Sequence, residues 1–142
     1  MTTSIREQIL ARLVTTLGSE PSIGAPVYRS RVTPLARGEA PAVVVEPVMD
    51  QANQTTIPKL DWSMTVRASI IVRGDTPDQV ADPLVAAVHQ KVMSDLTVGG
   101  LAYDVQPSTV AFELIEADNA AGVITCEYLV LYRTSLTDVT VV

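Results

Sequence analysis

The residues of this chain whose chemistry reaches beyond packing are few: His89, Cys126, the carboxylates Glu113, Glu116 and Asp118, and the closely spaced arginines Arg29, Arg31 and Arg37. A histidine beside a thiol is the pairing that generates a nucleophile, but that chemistry also needs a third group to orient the base, and none stands at a telling distance in sequence. Cys126 alternates with Ile124, Tyr128 and Val130, the setting of a small buried hydrophobe. His89 falls just outside the apolar stripe of a helical segment and reads as a partly exposed structural histidine. One histidine and one cysteine leave a metal ion short of donors, and the lone cysteine excludes a thiolate cluster. Paired carboxylates do acid–base work only when their environments differ, and the three at the 113–118 turn read as solvated. There is no glycine-rich phosphate loop, no Gly-x-Ser-x-Gly elbow and no basic–aromatic interleaving. No catalytic, cofactor-binding or metal-binding residue is therefore assigned, and the chain reads as a protein that is not an enzyme.

The bulk properties narrow the class. At 142 residues the chain has the length of one domain. Hydrophobic residues make up 47% and the mean hydropathy is +0.27, yet no apolar run approaches the roughly 18 residues of a membrane-spanning helix. Apolar surplus of this kind predicts surface buried between subunits, and so an oligomer. The N-terminal segment lacks the pattern of a secretory signal, which leads to an expectation of cytoplasmic synthesis. The net charge of −6 argues against general nucleic-acid affinity. It is unevenly spread: residues 1–73 hold eight basic and six acidic residues, net +2, and residues 74–142 hold two basic and ten acidic, net −8. Such polarity suits a head-to-tail contact, and solvated charge without a role accounts for it equally well.

The periodicities position these residues. Ser4 and Glu7 form a capping box for a helix carried by Ile5, Ile9, Leu10, Leu13, Val14 and Leu17 and ended by a left-handed Gly18; its apolar arc spans roughly half the wheel and asks for a second burial partner, a subunit or a flanking loop. Val27–Val32 reads as a short strand with Arg29 and Arg31 on one face. Ala42–Met49 reads as an edge strand, or one that bends at Pro47. Asp50–Lys59, which contains Gln54 and Thr55, reads as a long, mobile, unanchored hairpin loop. From Trp62 to Val72 every second residue is apolar, at Trp62, Met64, Val66, Ala68, Ile70 and Val72, which predicts a strand from Asp61 to Arg73. Thr76, Pro77 and Gln79 then start a helix with a stripe of Val80, Ala81, Leu84, Val85, Val88 and Val92, bent or divided at Asp82–Pro83. A short strand over Leu101–Val105, a turn at Pro107–Ser108 and a hairpin of Thr109–Ala117 with Val123–Thr134 complete the chain, the last strand apolar on both faces at Tyr128–Tyr132 and so expected to be covered on both sides. The fold class that follows is α+β, a single domain with a mostly antiparallel sheet of four to five strands and two main helices.

This order of elements, with a long strand leading through RGDTPDQVADPLVAAVHQKVM to a closing strand CEYLVLYRTSLTD, resembles the tail terminator (tail completion) proteins of long-tailed bacteriophages, the family that includes the lambda minor tail protein U. The most distinctive part is Tyr132, Arg133 and Thr134 with Asp138 shortly after. The resemblance implies a hexameric homo-oligomeric ring at the head-proximal end of the virion tail. That ring caps the tail tube, ends its polymerisation and offers a surface for head–tail joining. Implied partners are other copies of the chain, the tail tube protein and the head–tail connector, with DNA passing through the lumen and no membrane. A connector component, a tail-tube subunit and a small α+β enzyme are the alternatives. The candidate interface residues are Arg29, Arg31, Arg37, Gln54, Thr55, Glu113, Glu116 and Asp118, with the acidic hairpin or the loop around Gln54 expected toward the lumen or a ring face.

Overall fold

The computed structural model describes residues 3–31, 41–115 and 120–142, apart from the side chains of Thr55, Thr56 and Ile115. Each switch in apolar period becomes an element: α1 (Ile5–Gly18), β1 (Val27–Arg29), β2 (Ala42–Thr56), β3 (Lys59–Arg73), α2 (Pro77–Met93), β4 (Asp104–Ile115) and β5 (Ala121–Ser135). The strands form one sheet in the order β1-β2-β3-β5-β4, antiparallel except for the parallel pairing of β1 with β2. Both helices lie on one face of it. The α+β class and the two-helix, five-strand content follow the sequence reading.

β3 is the central strand of the sheet, and its period of two gives it one buried face. Met64, Val66, Ala68, Ile70 and Val72 point to the helices, as do Ile124, Cys126, Tyr128, Val130 and Tyr132 of the neighbouring β5, and one core cluster joins them to Ile9, Leu10, Leu13 and Leu17 of α1 and Ala81, Val88 and Val92 of α2. Burying this many aliphatic side chains, each worth roughly 1.5–3 kcal/mol, is what holds the helices to the sheet. The second partner of α1's wide arc lies in the same chain: Ile23, in the loop after the helix, joins the core, and the Ile5 amide donates to the Val139 carbonyl at 2.9 Å.

Several local expectations are corrected. Residues 50–60 are not an unanchored loop: β2 runs on to Thr56 and pairs with β3 from Asn53↔Asp61 to Thr56↔Lys59, leaving a turn at Ile57 and Pro58. Pairing with an already ordered strand outweighs the weak strand propensity of an amide-rich segment. Likewise β4 is one strand from Asp104, in which Pro107–Thr109 is a register shift and not a turn. Pro47 sits at the matching shift in β2, as a strand irregular at that residue requires; β2 is flanked by β1 over Val43–Val45, and among the described residues no strand pairs with its outer side after Val45. The strand after Pro26 stops at Arg29, because Ser30 takes a positive φ of 46°. Gly18 is helical, and α1 ends on Ser19 in a right-handed conformation. Thr76 makes no side-chain cap to the backbone. No second helix starts at Asp82: Pro83 lies within a continuous α2. Val80 is exposed, outside the buried stripe. β5 is central, but its second face is half-buried at Leu129 and Leu131, not covered.

Where α2 begins, its fit to the sheet depends on a missing side chain. A Cβ on Gly122 would stand 2.6 Å from the Pro77 Cβ and 3.5 Å from the Leu114 Cδ2, and neither the proline ring nor the central strand can move freely. Gly122→Ala is expected to lower stability by about 1–3 kcal/mol in urea unfolding; an unchanged midpoint would show that the α2 start does not pack against β5.

Candidate functional site

The sheet separates the residues singled out in the sequence. Arg29, at the end of β1, forms a two-pronged ion pair with Glu7 of α1, Nη2 to Oε2 at 2.7 Å and Nη1 to Oε1 at 3.1 Å. Hydrogen bonding from Arg29 holds the Glu7 carboxyl below its usual range. Glu7 is the capping-box residue, and its carboxylate is turned to Arg29 while its amide donates to Ser4 Oγ. The guanidinium of Arg31 lies over the Tyr28 ring, 4.7 Å from its centroid. Gln54 is exposed on the β2–β3 hairpin, and Glu113 is exposed on β4. Arg37, Glu116 and Asp118 lie outside the described residues. Gln54 and Thr55 adjoin the start of β3, whereas Glu113 pairs with Val123 near its end. Fifteen residues separate these ends, on the order of 45–50 Å in an extended strand. The two candidate surfaces therefore cannot meet a single neighbour at one point.

Two polar arrangements emerge that the sequence did not announce. Across the face opposite the helices, Glu46 of β2, Arg67 of β3 and Glu127 of β5 stand in register. Arg67 Nη1 lies 3.6 Å from Glu46 Oε1, Arg67 Nε and Nη2 each donate to Glu127 Oε2 at 3.2 Å, and Thr109 Oγ1 of β4 donates to Glu127 Oε1 at 3.1 Å. This ladder ties four strands together, and only strand register reveals it.

At the hairpin end, Trp62 stacks on Tyr132 with ring centroids 6.1 Å apart, and its Nε1 donates to Thr134 Oγ1 at 2.9 Å. The Tyr132 hydroxyl donates to Asp50 Oδ2, the oxygen that Arg6 Nη1 approaches at 3.4 Å. Arg133 Nε donates to Asp61 Oδ1 at 2.6 Å, and Asp138 accepts from the Thr140 amide. The four residues most distinctive in the sequence thus anchor the end of the sheet and the tail that follows.

Burial, opposed by the bonds from Tyr132 and Arg6, pushes the Asp50 carboxyl above its usual 3.8, and its Oδ1 has no protein partner. The folded chain therefore holds that proton more tightly than the unfolded chain, and stability from this group declines as pH rises from 3.8 through the raised value. The advantage of Asp50→Asn over the parent in urea unfolding should grow between about pH 4 and 7. A shrinking difference would contradict the dominance of burial at this carboxylate.

His89 and Cys126 do come near each other. With Tyr128, Glu127 and residues 107–110 they line a small cleft of about 130 Å³, and His89 Nδ1 lies 3.2 Å from the Tyr128 hydroxyl. The thiol is buried and its pKa is pushed up by that burial, so it stays protonated; burial raises the Tyr128 phenol as well. A nucleophilic cysteine needs the opposite environment. Native Cys126 should react with a thiol reagent at least about a hundredfold more slowly than in urea, because labelling must wait for opening; equal rates would place the thiol at the surface. Among the described residues no group of three or more potential ligands gathers for a metal ion, and no helix is long and apolar enough to cross a membrane.

Neither protein-family models nor characterised protein sequences match the chain. Solved structures do. A chain from the virion of a native gene transfer agent particle matches over 92% of this chain and 92% of its own length, with a TM-score of 0.54 and 12% sequence identity. The two share a fold from end to end, and at this identity the likeness speaks for the fold alone.

Proposed function

We propose that this chain is a structural protein of a phage-like virion, of the tail terminator kind: a hexameric homo-oligomeric ring at the head-proximal end of the tail that caps the tube, ends its polymerisation and receives the head connector. The observation that carries the reading is the end-to-end likeness to a virion chain, 92% of both lengths, which agrees with the element order that suggested the family. The geometry adds support. The Gln54 hairpin and the Glu113 end occupy opposite ends of one rigid sheet, the arrangement a ring subunit needs to meet tube on one side and connector on the other. Acidic Glu113, with Glu116 and Asp118 after it, suits a surface past which DNA slides without adhering.

Purified protein added to growing tubes of the cognate tail protein should arrest elongation at about one ring per tube end. Tubes that lengthen unaffected would remove the terminator reading in favour of a connector component, and open-ended stacks of the purified protein alone would favour a tail-tube subunit.

A further inference from the structure

The two lateral edges of the sheet are unlike, and each is incomplete. On β4, Val110, Phe112 and Leu114 oppose Cys126, Ile124 and Gly122 and so project to the helix-covered face, yet they are 50%, 63% and 60% exposed. The reason is that α2 lies chiefly over β3 and β5 and touches β4 less, so its cover of that strand is partial. A stripe of three large apolar residues on a twelve-residue edge strand is a template for pairing. The small cleft at His89 and Tyr128 borders the same stripe at Val110. On the other side, no described strand pairs with β2 beyond Val45, and Val48 and Met49 at its register shift are 42% and 55% exposed.

Charge distinguishes the edges in the same sense. The strand order places the described residues up to 73 on one side of the sheet and most of the described residues from 74 on the other, so their charge, seven basic and five acidic residues against two basic and eight acidic, divides laterally. Beside the β2 edge, the side chain of Arg6 is 44% exposed next to Asp50. Near the β4 stripe stand exposed Glu113 and, one position after the Pro77 that crowds Gly122 with Leu114, exposed Asp78.

We propose that the Val110–Phe112–Leu114 stripe of one copy seats against the Val48–Met49 edge of a second copy of this chain, a head-to-tail contact that joins apolar surface to apolar surface and the acidic side to the basic side. Two unlike patches on one molecule propagate from copy to copy and close into a ring when the rotation permits. This deepens the terminator reading and rests on it for closure, while the contact itself is read from mass alone.

The test is native mass spectrometry or light scattering on the full chain from micromolar to millimolar concentration, with Phe112→Asp and Met49→Asp. Both positions are exposed, and circular dichroism and melting check that each variant folds. The parent should assemble beyond a dimer, and each variant should associate at least about tenfold more weakly. An equimolar mixture of the two should form a dimer and go no further, because Met49→Asp keeps a working β4 edge and Phe112→Asp a working β2 edge. A Met49→Asp protein that assembles like the parent, a mixture that stays monomeric, or a parent that is monomeric throughout overturns the contact. Tube arrest by a chain that never self-associates would overturn this contact and the ring while leaving the capping of the tube standing; the predicted masses without tube arrest would overturn the capping and keep the contact.

Discussion

The antiparallel pairing of β3 with β5, unbroken from Lys59↔Ser135 to Arg73↔Ala121, is the constraint on which the rest of the structure depends. Side chains in a strand alternate between faces, so a slip of one residue anywhere along this pair would turn Met64, Val66, Ala68 and Ile70 away from the helices and bring Ser63, Thr65 and Arg67 into the core. The pair also has no interruption to absorb a slip. The two prolines of the long strands, Pro47 and Pro107, lie at register shifts in β2 and β4, one strand further out on each side, where a missing amide is tolerated.

From this rigid pair the polar groups acquire their positions. The Glu46, Arg67 and Glu127 ladder exists because three strands bring those residues into register, and partial exposure limits each of its ion pairs to a modest stabilisation. The cluster at the hairpin end works differently. Asp50 is desolvated there at some cost, and the Tyr132 hydroxyl and Arg6 offset part of it. In exchange the far part of β2, polar and poor in apolar residues, is tied to α1 and β5. The segment that most resembles a loop in composition is a strand because its base is held at that point.

The same architecture sets the environment of the thiol. His89, Tyr128 and Cys126 are neighbours, but the enclosure that brings them together keeps the thiol protonated. Among the described residues the sheet's exposed features are its edges: one strand whose apolar side chains at Val110, Phe112 and Leu114 are half or more exposed, and another with no strand paired to its outer side beyond Val45.

By itself the sequence determined α1, β3 and α2 and most of their buried residues, because period two from Trp62 to Val72 and three-and-four spacing in α1 and α2 are local properties. It also determined the Ser4 cap, the start of α2 at Pro77 and the special status of Pro47. Only the tertiary structure decided that Asp50–Thr56 is strand and not loop, that Pro107 is a bulge and not a turn, and that Arg29 is spent on Glu7. Each of those outcomes depends on a partner many residues away, and pairing with an ordered neighbour can override local propensity. The apolar edge on β4 was hidden for the same reason. Val110, Phe112 and Leu114 carry the alternation of any half-buried strand, and nothing in their spacing says that the helix beside them covers β4 only in part.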